Sequence, residues 1–175
     1  MKFIKNFYRN LDFRDFKEFL ADSCLYIILT MTVLVIVIYV VALQQVLGTS
    51  MEPTYKNQDV LLLNKVQYKI FSPKRFDVIA AQDGSGIVIK RIIGLPGESV
   101  DFRNGKLYIN NQEVTENFEK ATETGDFSLD TIPDGYYFLV GDNRMNSTDS
   151  RDERVGLIHR DDIIGKIMFR LWRVG

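Results

Sequence analysis

The chain has 175 residues, enough for about one domain and an appendage. Its 22 basic and 23 acidic residues nearly cancel to a formal charge of −1, and no basic block stands out, which argues against nucleic acid as a partner. The single cysteine, Cys24, forms no intrachain disulfide and no cysteine-cluster metal site; the single histidine, His159, excludes a histidine-rich one and would have to carry any Ser-His-Asp triad alone.

Residues 1–22 read as a cytoplasmic segment. Lys2, Lys5, Arg9, Arg14 and Lys17 alternate with Phe3, Phe7, Phe13, Phe16 and Phe19, a pattern that fits an amphipathic helix on the membrane surface as well as a loose tail. Ser23 to Leu43, SCLYIILTMTVLVIVIYVVAL, is 21 residues without a charge. At ~1.5 Å per residue a helix of that length covers about 30 Å, one hydrocarbon core. Val and Ile abound, but in lipid the backbone must satisfy itself, so the run is expected as a single transmembrane helix. The basic residues precede the span, and after it Lys56 is the only one before Lys65, which orients the N-terminus to the cytoplasm and the bulk of the chain outward across the cell membrane. Val40-Val41-Ala42 loosely imitates a signal-peptide cleavage site. The apolar run is longer than the 7–15 residues of a signal core, and a retained anchor is expected.

Residues 44–175 read as strands and turns. Apolar runs fall at 60–66, 76–81, 86–93, 99–102, 136–141 and 162–172, and 105–114 reads as a hairpin turning at Asn110-Asn111. Asp83-Gly84, Leu95-Pro96-Gly97 and Pro133-Asp134-Gly135 punctuate them, while 115–131 is polar, aperiodic and expected as loop. The fold class expected is mainly β, an antiparallel barrel-like domain behind the anchor.

Three stretches could carry chemistry: GTSMEPTY (48–55), IVIKRIIGLPGE (87–98) and GDNRMNSTDSRDERVG (141–156). Ser50 alone reads more simply as a turn or cap residue, with Pro53 shaping the bend. The third stretch alone reads as a polar loop rich in Asx turns. Lys90 is harder to dismiss. On a strand it shares a face with Val88 and Ile92, while Arg91 takes the other, so its amine is expected to be partly desolvated. A free lysine, with a pKa of ~10.4, is neutral in only about one molecule in 2,500 near pH 7. Burial disfavours the ammonium, and a shift to about 7 needs roughly 4–5 kcal/mol of bias. A neutral Lys90 amine near Ser50 could take the hydroxyl proton as it attacks a carbonyl, a serine–lysine dyad.

In this order after one apolar span, the boxes SMEPT, KRIIGLPGE and GDNR…NSxDSR resemble those of bacterial type I signal peptidases, from about Gly48 to the C-terminus. The resemblance implies a membrane-anchored serine–lysine endopeptidase that removes signal peptides from exported preproteins after Ala-x-Ala, through an acyl-enzyme and without metal or cofactor, with preproteins and membrane lipid as partners. It implies Ser50 as nucleophile, with its N–H in the oxyanion hole, Lys90 as general base, and Ser147 as the hydroxyl bonded to the lysine amine. Asp149 and Arg151 match a structural acid–base pair, and Met51, Tyr55, Val88 and Ile89 match positions that line the pockets for the small residues. Two positions depart from part of the family. Gly48 stands where some members carry a serine as second oxyanion donor, and Met145 stands where some carry an acidic residue. A glycine at the first position, and the absence of a large insertion, resemble the Gram-positive type.

Other readings fare worse. Penicillin-binding enzymes need Ser-x-x-Lys at the nucleophile, but Ser50 is followed by Met-Glu-Pro, and Glu52 breaks the Gly-x-Ser-x-Gly elbow of α/β-hydrolases. Soluble serine–lysine repressors lack the span. The non-enzymatic alternative is an anchored β-domain that binds peptide or scaffolds a complex with a vestigial dyad.

Overall fold

The computed structural model describes residues 13–84, 86–120 and 124–173. The leader pattern at Phe3 and Phe7 lies outside them. The chain divides into two units, Met1–Val40 and Val41–Gly175.

The first unit is helical. Helix α1, Phe13–Val35, runs on into one turn of π-helix, Ile36–Val40. Phe16–Val40 forms one segment of 25 residues, long and apolar enough to cross a membrane, and its large side chains are exposed all round. Its two threonine hydroxyls do not need water: Thr30 and Thr32 donate to the carbonyls of Tyr26 and Ile28, each at 2.8 Å. The helix ends at Val40, and Val41–Leu43, read as the end of the apolar span, already belongs to a strand.

The second unit is mainly β and wholly antiparallel. Strands β1 (Val41–Gln45), β2 (Asp59–Asn64), β11 (Ile163–Arg173), β3 (Val78–Gln82), β4 (Ile87–Gly94), β9 (Tyr136–Val140) and β10 (Ile158–His159) lie side by side in that order. β11 lies between β2 and β3 and pairs with both, its later residues with β2 and its first with β3, with register shifts along each pairing. A smaller sheet holds β7 (Gln112–Val114), β6 (Lys106–Ile109), β5 (Val100–Arg103) and β8 (Phe127–Leu129). The hairpin at Asn110-Asn111 forms as expected: both residues adopt positive φ, +51° and +62°, the twist a two-residue turn requires. Strand β8 falls inside 115–131, expected as loop. Its three residues gain order by pairing with β5, and so short a segment shows no period. A short helix, α2 (Gln67–Ile70), follows β2.

Strand β4 is the spine of this unit. Ile89 joins a cluster with Met51, Leu61 and Leu63; Ile92 packs with Ile79, Tyr137 and Leu139; Ile93 packs with Val100, Phe102, Ile132 and Phe138. Each fully buried side chain of this kind contributes roughly 1.5–3 kcal/mol. A residue on β4 is therefore held on rigid scaffold. β4 pairs with β3 from Ile87 to Arg91, but β9 reaches only Arg91, Ile92 and Gly94. On the β9 side, the edge from Ile87 to Lys90 stays open among the described residues.

Candidate active site

A cavity of about 370 Å³ lies against that open edge. Ile87, Val88, Ile89 and Lys90 line it together with Gln45 through Met51, including Gly48 and Ser50, and with Asn146 and Thr148. Ser50 and Lys90, 40 positions apart in the chain, thus line one space. Met51, Val88 and Ile89 line it too. Tyr55 does not: it packs against the core cluster that holds Met51.

Lys90 is 5% exposed. Burial pushes its pKa below the ordinary 10.5, helped by the Arg151 guanidinium; the Asp149 and Asp83 carboxylates pull the other way without prevailing. The amine donates to Ser147 Oγ at 3.0 Å, and Ser147 donates to Asp149 Oδ2 at 2.6 Å. The chemistry of a hydroxyl fixes the direction of this chain. With its proton committed to the carboxylate, Ser147 can only accept from Lys90. One amine N–H is then spoken for, and the lone pair of the neutral amine is free to point elsewhere.

Asp149 is held in turn. Burial alone would raise its pKa, but the bidentate Arg151 guanidinium at 2.8 Å, the Gly141 N–H at 3.0 Å and the Ser147 hydroxyl outweigh it and keep the carboxyl below its usual value. Arg151 also donates to the carbonyl of Arg144 at 2.7 Å. The loop after β9 is therefore a bonded scaffold behind the lysine, and only its outer residues, Met145 among them, are exposed.

The turn bearing Ser50 is tied to that same loop. Asn143 N–H donates to the Ser50 carbonyl at 3.0 Å and its side-chain amide to the Thr49 carbonyl at 3.1 Å. Gly141 lets them approach. A Cβ there would fall on Ser147 Oγ and the Ser50 carbonyl oxygen, and 2.7 Å from Ser147 Cβ. Ser50's own hydroxyl and N–H bond to no described group, so both remain available to something in the cavity. Gly48 adopts φ +87°, open to glycine, and a Cβ on it would meet only open space.

Charged side chains within the three motifs, and partners outside them, tie the site together. Arg91 grips Asp142 bidentately at 2.8 and 2.5 Å, Thr54 donates to the same carboxylate at 2.5 Å, and the guanidinium lies 3.9 Å from the Phe118 ring centre. Arg144, whose side chain is wholly buried, is paired with Glu116 and donates to Thr124 at 2.7 Å. Charged residues inside otherwise apolar or turn-like runs were the available signal for Arg91 and Asp142; nothing in a polar stretch marks Glu116. His159 sits on edge strand β10, where its ring accepts the Asp161 N–H at 3.3 Å, and is not among the residues that line the cavity.

The chain matches the family model described as signal peptidase, peptidase S26, over residues 18–172. It is 38% identical over 135 residues to signal peptidase I V of Bacillus subtilis (strain 168), covering 69% of this chain and 79% of that protein. To signal peptidase IB of Staphylococcus aureus (strain COL) it is 33% identical over 153 residues, covering 77% and 79%. A crystal structure of a signal peptidase I from Enterococcus faecalis V583 superposes with a TM-score of 0.49 at 36% identity, covering 56% of this chain and 98% of that one. The chain therefore belongs to the signal peptidase family, peptidase S26, a family of serine peptidases that cleave signal peptides from preproteins.

Proposed function

We propose that the chain removes signal peptides from exported preproteins with Ser50 as nucleophile and Lys90 as general base, at the outer face of the cell membrane. The observation that supports this most is the buried Lys90 amine, bonded to a hydroxyl that can only accept, at the wall of the cavity Ser50 also lines. The substrate segment before the cut lies extended along the open edge of β4, held by main-chain bonds, with Gln45–Leu47 across from it. Apolar walls from Met51, Val88 and Ile89 and a volume of about 370 Å³ favour small side chains, as in Ala-x-Ala.

The chemistry then runs in two halves. Ser50 Oγ attacks the scissile carbonyl while its proton passes to the Lys90 lone pair; the Ser50 N–H receives the developing oxyanion. The lysine returns that proton to the departing amine, the C–N bond breaks, and an ester to Ser50 remains. Lys90 next takes a proton from water as the water attacks the ester, and hands it to Ser50 as the acid leaves. Residues 1–22 stay in the cytoplasm, the apolar helix that ends at Val40 serves as the anchor, and the chain from Val41 onward forms the outer catalytic domain. Confining enzyme and preprotein to one surface raises their effective concentration.

The test compares the full chain with Ser50→Ala and Lys90→Arg in detergent, on a model preprotein, with products sized by mass spectrometry. Wild type cuts after a small residue, and both variants are inert, because a guanidinium stays charged. Equal cleavage by Ser50→Ala would reject the nucleophile and restore the scaffold alternative. Turnover by Lys90→Arg would reject the base.

A further inference from the structure

The reading above gives the oxyanion one donor, the N–H of Ser50, and Gly48 nearby has no side chain to add another. Thr49 is the neighbour with an idle proton. Its Oγ1 accepts from Asn146 Nδ2 at 2.7 Å, so a lone pair is occupied and the hydroxyl hydrogen must point elsewhere. No described group accepts that hydrogen, and Thr49 lines the same cavity as Ser50 and Lys90.

The hydroxyl is also held in place. Asn146 N–H donates to the Asn143 carbonyl at 3.0 Å, and Asn143 in turn bonds the carbonyls of both Thr49 and Ser50. Thr49 is thus gripped at its carbonyl and at its side chain by one loop, the loop that also carries Ser147 behind Lys90. A donor fixed before the charge forms is what transition-state stabilisation requires, since it then costs no reorganisation.

We infer that the Thr49 hydroxyl, oriented by Asn146, donates to the tetrahedral oxyanion beside the Ser50 N–H. The assignment rests on Ser50 as nucleophile. Thr49 is then a catalytic residue, and Asn146 is a positioning residue that acts through it.

The test measures kcat and KM for Thr49→Val, Thr49→Ala, Thr49→Ser and Asn146→Ala on a preprotein peptide, with thermal melting alongside and Ser50→Ala as reference. Loss of one well-placed donor lowers kcat about 10²-fold. Thr49→Val and Thr49→Ala should show that loss with KM within about twofold of wild type and an acidic limb of the pH profile in its original position, because Lys90 is untouched. Thr49→Ser restores the rate, and Asn146→Ala falls between. Either of the first two variants, folded and retaining kcat within about twofold, overturns the assignment, as does a rise in KM alone, which would make the hydroxyl a ground-state contact. If Ser50→Ala is dead while Thr49→Val is fully active, only this inference fails. If Ser50→Ala is active, the reading beneath it fails.

Discussion

Asp149→Asn probes the chain from carboxylate to the proposed base, Lys90. The side chain is 1% exposed and receives bonds from Arg151 Nε and Nη2, from Gly141 N–H and from Ser147. The amide keeps the shape and removes the charge. Breaking a buried ion pair by neutralising one partner costs about 3–5 kcal/mol; Arg151 keeps 16% of its side chain in solvent, so the low end, about 3 kcal/mol, is expected. At about 3 °C per kcal/mol, melting falls by roughly 10 °C. The chemical effect is separate. An amide N–H turned to Ser147 makes that hydroxyl accept from position 149, and its proton then competes for the Lys90 lone pair. Reversing the bond that orients a catalytic base costs up to ~10⁴ in kcat. At the same time Lys90 loses a carboxylate that raised its pKa, so the acidic limb of the activity profile moves to lower pH. Preprotein cleavage across a pH series, below the variant's melting point, reads both. Unchanged kcat, or a limb displaced upward, would refute the argument.

Lys90→Met tests the burial of the amine in the absence of any substrate. The folded pKa lies below the ordinary 10.5, so the fold opposes the ammonium; the penalty is complete below the folded pKa and fades as pH approaches the unfolded value. The variant should melt higher than wild type near neutral pH, and the gap should close toward pH 10.5; a gap that is absent near neutrality and opens only in alkali contradicts it. Gly141→Ala drives a Cβ onto the Ser50 carbonyl and Ser147, an overpacking cost of about 1–3 kcal/mol. Moving the proposed base and nucleophile apart by about 1 Å should cost about 10² in turnover, and wild-type kcat from that variant would disprove the close approach. Glu116→Ala strands the buried Arg144 guanidinium, an expected loss of about 3–5 kcal/mol by denaturant unfolding, against near-zero loss if the pair is dispensable.

How much of this was legible in the sequence follows from which interactions are local. Strand positions came from apolar runs, and β4 was read with Lys90 and Arg91 on opposite faces because alternation is a property of the chain itself. The hairpin at Asn110-Asn111 was legible for the same reason: two asparagines tolerate the positive φ that the turn needs. Strand β1 was hidden because Val41–Gln45 continues the apolar run, and composition cannot mark where a lipid-facing helix yields to a strand that pairs with β2. Strand β8 and Glu116 were hidden because their order comes from distant partners, β5 and Arg144.

The same distinction explains why the motifs named the candidate groups and left out the parts that hold them. Ser50, Lys90 and Ser147 stand out as residue types with chemistry to do. What brings them together is a set of bonds between boxes: Asp142 with Arg91 and Thr54, Asn143 with the Ser50 turn, Gly141 pressed against both. Each member looks ordinary alone: an aspartate after a strand, an asparagine in a loop, a glycine at a turn. Their meaning is relational: Asp142 is buried at 0% exposure with Arg91, 51 positions earlier, neutralising it. A buried charge without its partner is costly enough that either member alone would be expelled to the surface. Arg91 follows Lys90 on one rigid strand, so the pair that anchors the serine loop to β4 also fixes the height at which the neighbouring amine meets the cavity.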